Sequence, residues 1–217
     1  MSNEAGLREE ICRVGETLFA RGYAHATAGN ISARLDDGFL ITPTDACLGF
    51  LDPARLARVG ADGQQLSGDR ASKTLVLHRR IYGADPTAGC VIHTHSTHVV
   101  ALTLAGGFDR EQLLPPITPY FVMKVGRVPV IPYHRPGDPR VGDLVADAIM
   151  ASQQRGAAIR AVMIERLGPN VWDATPAAAM AVLEELEETA RLWLLTKPAP
   201  LDEARIAELR EAFGARW

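Results

Sequence analysis

The sequence predicts an α/β protein in which one mixed sheet carries helices on both faces. Three observations lead there. Helical and strand periods alternate irregularly, strands are joined by both hairpins and helical crossovers, and prolines and glycines punctuate the chain without gathering into a linker. A regular parallel nucleotide-binding order would require strict alternation of strand and helix. No repeat interrupts the pattern, so residues 1–217 read as a single domain.

Each element has a local reason. Leu7, Ile11, Val14 and Leu18 recur at helical spacing, and the pattern stops at Gly22. Asn30 to Leu35 and Phe39 to Thr42 are short strands about a turn at Asp36-Asp37-Gly38, where glycine accepts positive φ. Ser72 caps a second helix with Leu77, Ile81 and Tyr82 on its apolar face, ending at Gly83. Ala88 to His95 reads as a buried strand, and Ser96 opens a helix through Val99, Val100, Leu102 and Leu104 to Gly106-Gly107. Tyr120 to Tyr133 suggests two strands about Gly126, the second an edge because of Pro129. Asp138 to Ser152 is an amphipathic helix and Ala158 to Glu165 a strand. Thr175-Pro176 then starts a long helix with proline in its first turn.

Composition removes several function classes. Lys and Arg number 23 against 26 Asp and Glu, without long same-sign runs, so no footprint for nucleic acid is present. No apolar stretch is long enough to cross a bilayer, and the start MSNEAGLREE is acidic where a secretory leader is basic and then apolar. A cytoplasmic protein without a membrane partner is expected. Cys12, Cys47 and Cys90 are well separated in apolar surroundings, as reduced thiols would be.

Chemistry concentrates in four places. His93 and His95, two apart on a strand, leave the same face and suit two nitrogens converging on one metal, although an isolated pair is as often a hydrogen-bonded strand end. They stand at the carboxyl end of a buried strand, where α/β folds bind ligands. His98 lies in the first turn of the following helix, as a surface residue or as part of the same pocket. Gly29 and Asn30, then Thr44 and Asp45, occupy turns able to offer amides and hydroxyls to an anion, and Ser72 with Lys73 add a helix start and a cation.

The motifs ATAGNIS, LITPTD, SGDRASK followed by LH and IY, ADPTAGCVIHTHSTH, LLPPITPYFVMKVGRVPVIPY, RPGD and ELEETARL occur in an order similar to the class II aldolase/adducin family, the L-fuculose-phosphate aldolase group. Within it they most resemble 3-oxo-tetronate 4-phosphate decarboxylase-like members. The resemblance runs from Leu7 to Leu195. It implies a three-layer α/β/α sandwich with a mixed, largely antiparallel sheet. It also implies a divalent metal held by three histidines, a glutamate beside it, and a homotetramer with sites at subunit interfaces.

Carried over by motif, His93 and His95 match the paired metal ligands, and Gly29, Asn30, Thr44 and Ser72 match the phosphate-holding positions. Three positions depart. The acid falls on Thr74, the third histidine on Leu167, and a glycine of the phosphate loop on Asp45. Glu165 and His134 are the candidates for a replacement ligand. Without one, zinc or manganese would bind weakly or not at all.

A threonine hydroxyl is too weak a base for aldol chemistry, whereas loss of carbon dioxide from a 3-oxo acid needs no base. The resulting expectation is a divergent lyase, a metal-assisted decarboxylase of a small sugar-derived 3-oxo acid, with His98, Lys73 and Thr74 as catalytic candidates. A metal-free lyase and a non-catalytic binding or assembly protein on the same scaffold are the other readings. The expected partners are a small sugar-acid substrate and further copies of the chain, with Trp193 and Trp217 as apolar surface for assembly.

Overall fold

The computed structural model describes residues 4–217 and is organised around one sheet of eight strands. These are β1 (Asn30–Leu35), β2 (Gly38–Ile41), β3 (Ala57–Gly60), β4 (Gln65–Ser67), β5 (Cys90–His93), β6 (Val130–Ile131), β7 (Ala161–Ile164) and β8 (Gly168–Asp173). Their order is β4-β3-β2-β1-β5-β8-β7-β6. Every neighbouring pair is antiparallel except β6 and β7, so the sheet is mixed and mainly antiparallel, as expected.

Alternation along the strands builds two cores. Ile31, Ala33, Cys90, Ile92 and Val171 face helices α1 (Glu4–Ala20), α3 (Thr97–Ala105), α5 (Pro176–Thr196) and α6 (Glu203–Phe213). Val91, Val162, Ile164 and Trp172 face α2 (Leu75–Ala84) and α4 (Arg140–Gln154) on the other side. The result is the three-layer sandwich. Thr175 caps α5 through a bond from the Ala178 amide, with Pro176 in the first turn, as the sequence indicates.

Four features differ from the expectation. Residues 121–125 form a π-helical turn instead of a strand, because Phe121, Val122 and Val125 bury against α5 on one side of a coil that ends at Gly126, whose φ is 78°. Only Val130 and Ile131 remain as strand, at the sheet edge where Pro129 had placed it. α2 starts at Leu75, not Ser72; residues 72–74 form a preceding turn. Trp217 is buried against Phe121, its ring centroid 5.7 Å away, so it is spent inside the subunit and not offered for assembly.

Strands β3, β4 and β8 and helix α6 were not anticipated. β8 begins Gly168-Pro169, which reads as a turn. Here the missing proline N–H is harmless, since the Pro169 carbonyl accepts from Thr94 N and from His93 Nδ1. Among the described residues no helix is long and apolar enough to cross a membrane, and the three cysteines are free.

Candidate active site

The anion-loop candidates and the histidine strand are drawn together by backbone packing. Gly29 has φ 93°, and a Cβ there would stand 2.8 Å from the His93 carbonyl oxygen, so only glycine lets the loop approach this closely. Asn30 then lies directly opposite His93 in the β1/β5 register. The Thr44 amide donates to Arg70 O at 2.8 Å, and its hydroxyl donates to Ala71 O at 3.0 Å. This ties the second loop to the start of α2. Asn30 Nδ2 donates to Thr74 Oγ1 at 3.2 Å, and Ser72 Oγ donates to the same oxygen at 3.3 Å.

Gly29, Asn30, Thr44, Ser72 and Thr74 are thus linked to one another or to His93 through adjoining backbone. Lys73 and Asp45 are exposed, and among the described residues neither forms an ion pair. Asp45 sits at φ 58°, a left-handed conformation that asparagine and aspartate tolerate better than most residues. Arg70, the nearest cation in sequence on the neighbouring loop, forms no ion pair with Asp45.

His93 is buried, and its Nδ1 must carry the proton because it donates at 2.9 Å to the Pro169 carbonyl, which can only accept. Nε2 is therefore a free lone pair. Burial, with His95 adding to it, lowers the His93 pKa to about 4, so the ring is neutral near pH 7. His95 is half-buried, its ring centroid 5.1 Å from that of His93 and 6.3 Å from that of His25. Burial and the nearby His25 lower its pKa as well. His25 was missed at the sequence level, although it lies two residues before the first anion-loop threonine.

His98 is held differently. Its Nδ1 lies 2.8 Å from Glu187 Oε1, and Glu187 also accepts from the backbone amides of His98 and Val99 at 2.9 and 3.0 Å. Glu187, on α5, is thus the cap of α3, a task expected of Ser96, whose side chain makes no cap bond. This carboxylate is buried, and removing it strands two helix-end amides. Glu187→Ala is expected to lower stability by about 2 kcal/mol in urea unfolding, with Glu187→Gln losing less.

Leu167 packs among the apolar residues facing α2 and α4. The turn that carries it is pressed onto the histidine segment, since a Cβ on Gly168 would lie 1.9 Å from the Thr94 carbonyl oxygen. Position 167 therefore adjoins His93 and His95, where a third ligand would have to stand. Glu165 instead pairs with Arg110 and accepts from the Tyr133 amide, and His134 bonds the Pro132 carbonyl. Neither joins the pair. Among the described residues no group of three or more His, Cys, Asp or Glu side chains could hold a metal. With leucine at the position of the third histidine, the donor set does not fit a catalytic divalent metal, which takes three protein ligands.

The strand-end histidine pair lies beside the loops of Gly29 and Thr44 on a three-layer α/β/α sandwich, the fold of the class II aldolases. Residues 9–194 match the family described as the Class II Aldolase and Adducin N-terminal domain, and the chain belongs to that family. It is 57% identical to a 3-oxo-tetronate 4-phosphate decarboxylase of Cupriavidus necator, covering 100% of both chains. To the protein of that name in Escherichia coli it is 43% identical, over 95% of this chain and 96% of the other. Among solved structures, YgbL from Escherichia coli superposes with a TM-score of 0.87 at 42% identity, covering 95% of this chain and 99% of that one. L-fuculose-1-phosphate aldolase from Thermus thermophilus follows at 0.72 and 29% identity, over 89% and 98%.

Proposed function

We propose that the chain is a carboxy-lyase acting on a four-carbon 3-oxo sugar acid. The observation that carries this reading is the 57% identity to a decarboxylase over the whole of both chains, together with the presence of His93, His95, Asn30 and Ser72 within the family's motifs. The chemistry suits what remains of the site. The bond between the carboxylate carbon and C2 breaks, its electron pair forms the C2–C3 double bond, and the 3-oxo oxygen takes the negative charge. Carbon dioxide leaves, and a proton then returns to C2. No step requires a base as strong as the missing glutamate, so Thr74 is compatible with turnover.

The residues take the following parts. The loops of Gly29 and Thr44, tied to the start of α2 by their own hydrogen bonds, form the wall that faces the anionic end, and Lys73, exposed at the start of α2, contributes the positive charge. His98, steadied through Nδ1 by Glu187, returns the proton from Nε2. Zinc or manganese at His93 and His95 alone would be weakly held, and no step is assigned to it. Asp45 places negative charge beside the anion loop, which favours an unphosphorylated acid over a phosphorylated one.

The test is turnover of 3-oxo-tetronate and its 4-phosphate, followed by carbon dioxide release. No release from either form means that the scaffold binds without reacting, the reading favoured by Thr74 and Leu167 together. The family's homotetramer is proposed as well. Light scattering is expected to give about four times the 23.5 kDa subunit mass, and a monomer at micromolar concentration refutes it.

A further inference from the structure

Asn170 is fully buried in β8, and neither its amide oxygen nor its amide nitrogen has a hydrogen-bond partner. Buried amides are almost always paired, and an orphaned one costs stability that an apolar side chain of the same shape would not. The environment would accept such a residue: Val162 on β7 and Trp172 two places along β8 share this apolar face.

The position explains the anomaly. Asn170 is the register partner of His93, and Asn30 is the partner of His93 on its other side, so the three form a row across β1, β5 and β8. Residues directly opposite on adjacent antiparallel strands carry their side chains on the same face, about 5 Å apart. The Asn30 amide oxygen, also buried, is likewise without a partner. The row therefore offers two unpartnered amide oxygens, one amide N–H₂ and the lone pair of His93 Nε2. A carboxylate would face three acceptors there. A hydroxyl fits, because it can donate to His93 Nε2 while accepting from Asn170 Nδ2.

We propose that Asn170 is a specificity-determining residue that receives, beside His93, the free hydroxyl adjacent to the 3-oxo group of the substrate. The inference rests on the carboxy-lyase reading for the substrate class. It assigns the Asn170 flank of His93 to the hydroxyl end of the ligand and leaves the anionic end outside this row of acceptors, toward Lys73. The site favours acids that carry an oxygen at C2 over those that lack one, since a buried amide left unpaired by the deoxy compound penalises its binding.

The experiment is calorimetric binding of erythronate and of 3,4-dihydroxybutanoate, which lacks the C2 hydroxyl, to the native protein and to Asn170→Val, with thermal melts of both. The native protein is expected to prefer erythronate by tenfold or more. Asn170→Val should melt about 4 °C higher, because an unpaired amide is replaced by an apolar side chain of similar shape. It should also lose the preference while keeping its affinity for 3,4-dihydroxybutanoate. A lower melting point shows a structural role and overturns the proposal. So does a higher melting point with the preference intact, which would mean that the amide holds only internal water. If the native protein binds neither acid, the substrate class itself falls and the inference with it, whereas equal binding of both by the native protein refutes the inference alone.

Discussion

Leu167→His is expected to tighten zinc or cobalt binding about a hundredfold, and Leu167→His combined with Thr74→Glu to tighten it further. Structural zinc sites bind with roughly 10–16 kcal/mol over four ligands, so one ligand accounts for roughly 3 kcal/mol, or two powers of ten. The geometry supports the placement, because the turn carrying residue 167 lies against the backbone of Thr94, between the two histidines. His93 already presents Nε2 as a lone pair, oriented by its Nδ1 bond to the Pro169 carbonyl. Titration followed by the visible bands of tetrahedral cobalt reads the result. A native protein that binds as tightly as the variant would mean that another subunit completes the ligand set. A variant no tighter than the native protein would mean that residue 167 does not face the pair.

Acidification from pH 6.5 to 4.5 is expected to cost about 2 kcal/mol of stability through His78 alone. This ring is fully buried on α2, with Nδ1 2.8 Å from Ser32 Oγ, and burial, aided by the proximity of His93, lowers its pKa to about 3. The unfolded chain takes up a proton near pH 6.5, whereas the folded one does not until about pH 3. The unfolded state therefore binds the extra proton increasingly across that window, and stability falls by at most about 1.4 kcal/mol for each pH unit. About one pH unit above 6.5 the unfolded ring is neutral too and the penalty is gone. His93, lowered to about 4, acts in the same direction. Urea midpoints at pH 7 and 4.5 measure the slope, and His78→Phe should flatten it. An unchanged slope in that variant would assign the acid sensitivity to other groups.

Most of the frame was legible because its periods are local. The β1/β2 hairpin, α1 and α5 each carry their own turn, stop or cap within a few residues, and the family motifs fix their order. β8 was hidden by Gly168-Pro169, whose turn-like reading is reversed by bonds from β5 that no local pattern records. The π-helical turn at 121–125 was hidden because its apolar residues suit a strand as well as a coil packed on α5. In the site, Thr74 and Leu167 stand where the family's motifs place an acid and a histidine, and both departures are read from the sequence. The partnerships of His98 with Glu187, of His95 with His25 and of His93 with Asn170 are not. They join residues whose separation only the folded sheet cancels.

The cap that Glu187 places on α3 also bears on the order in which the molecule assembles. The amides of His98 and Val99 find their acceptor 88 or 89 residues further along the chain, so the first turn of this helix cannot be completed from its own neighbourhood. A loop of that length closes late, because chain entropy is lost before the contact forms. The short helix carrying His98 is therefore left open at its leading end until the last long helix docks. During synthesis, the segment that follows the histidine pair waits for the carboxyl-terminal part of the chain to emerge.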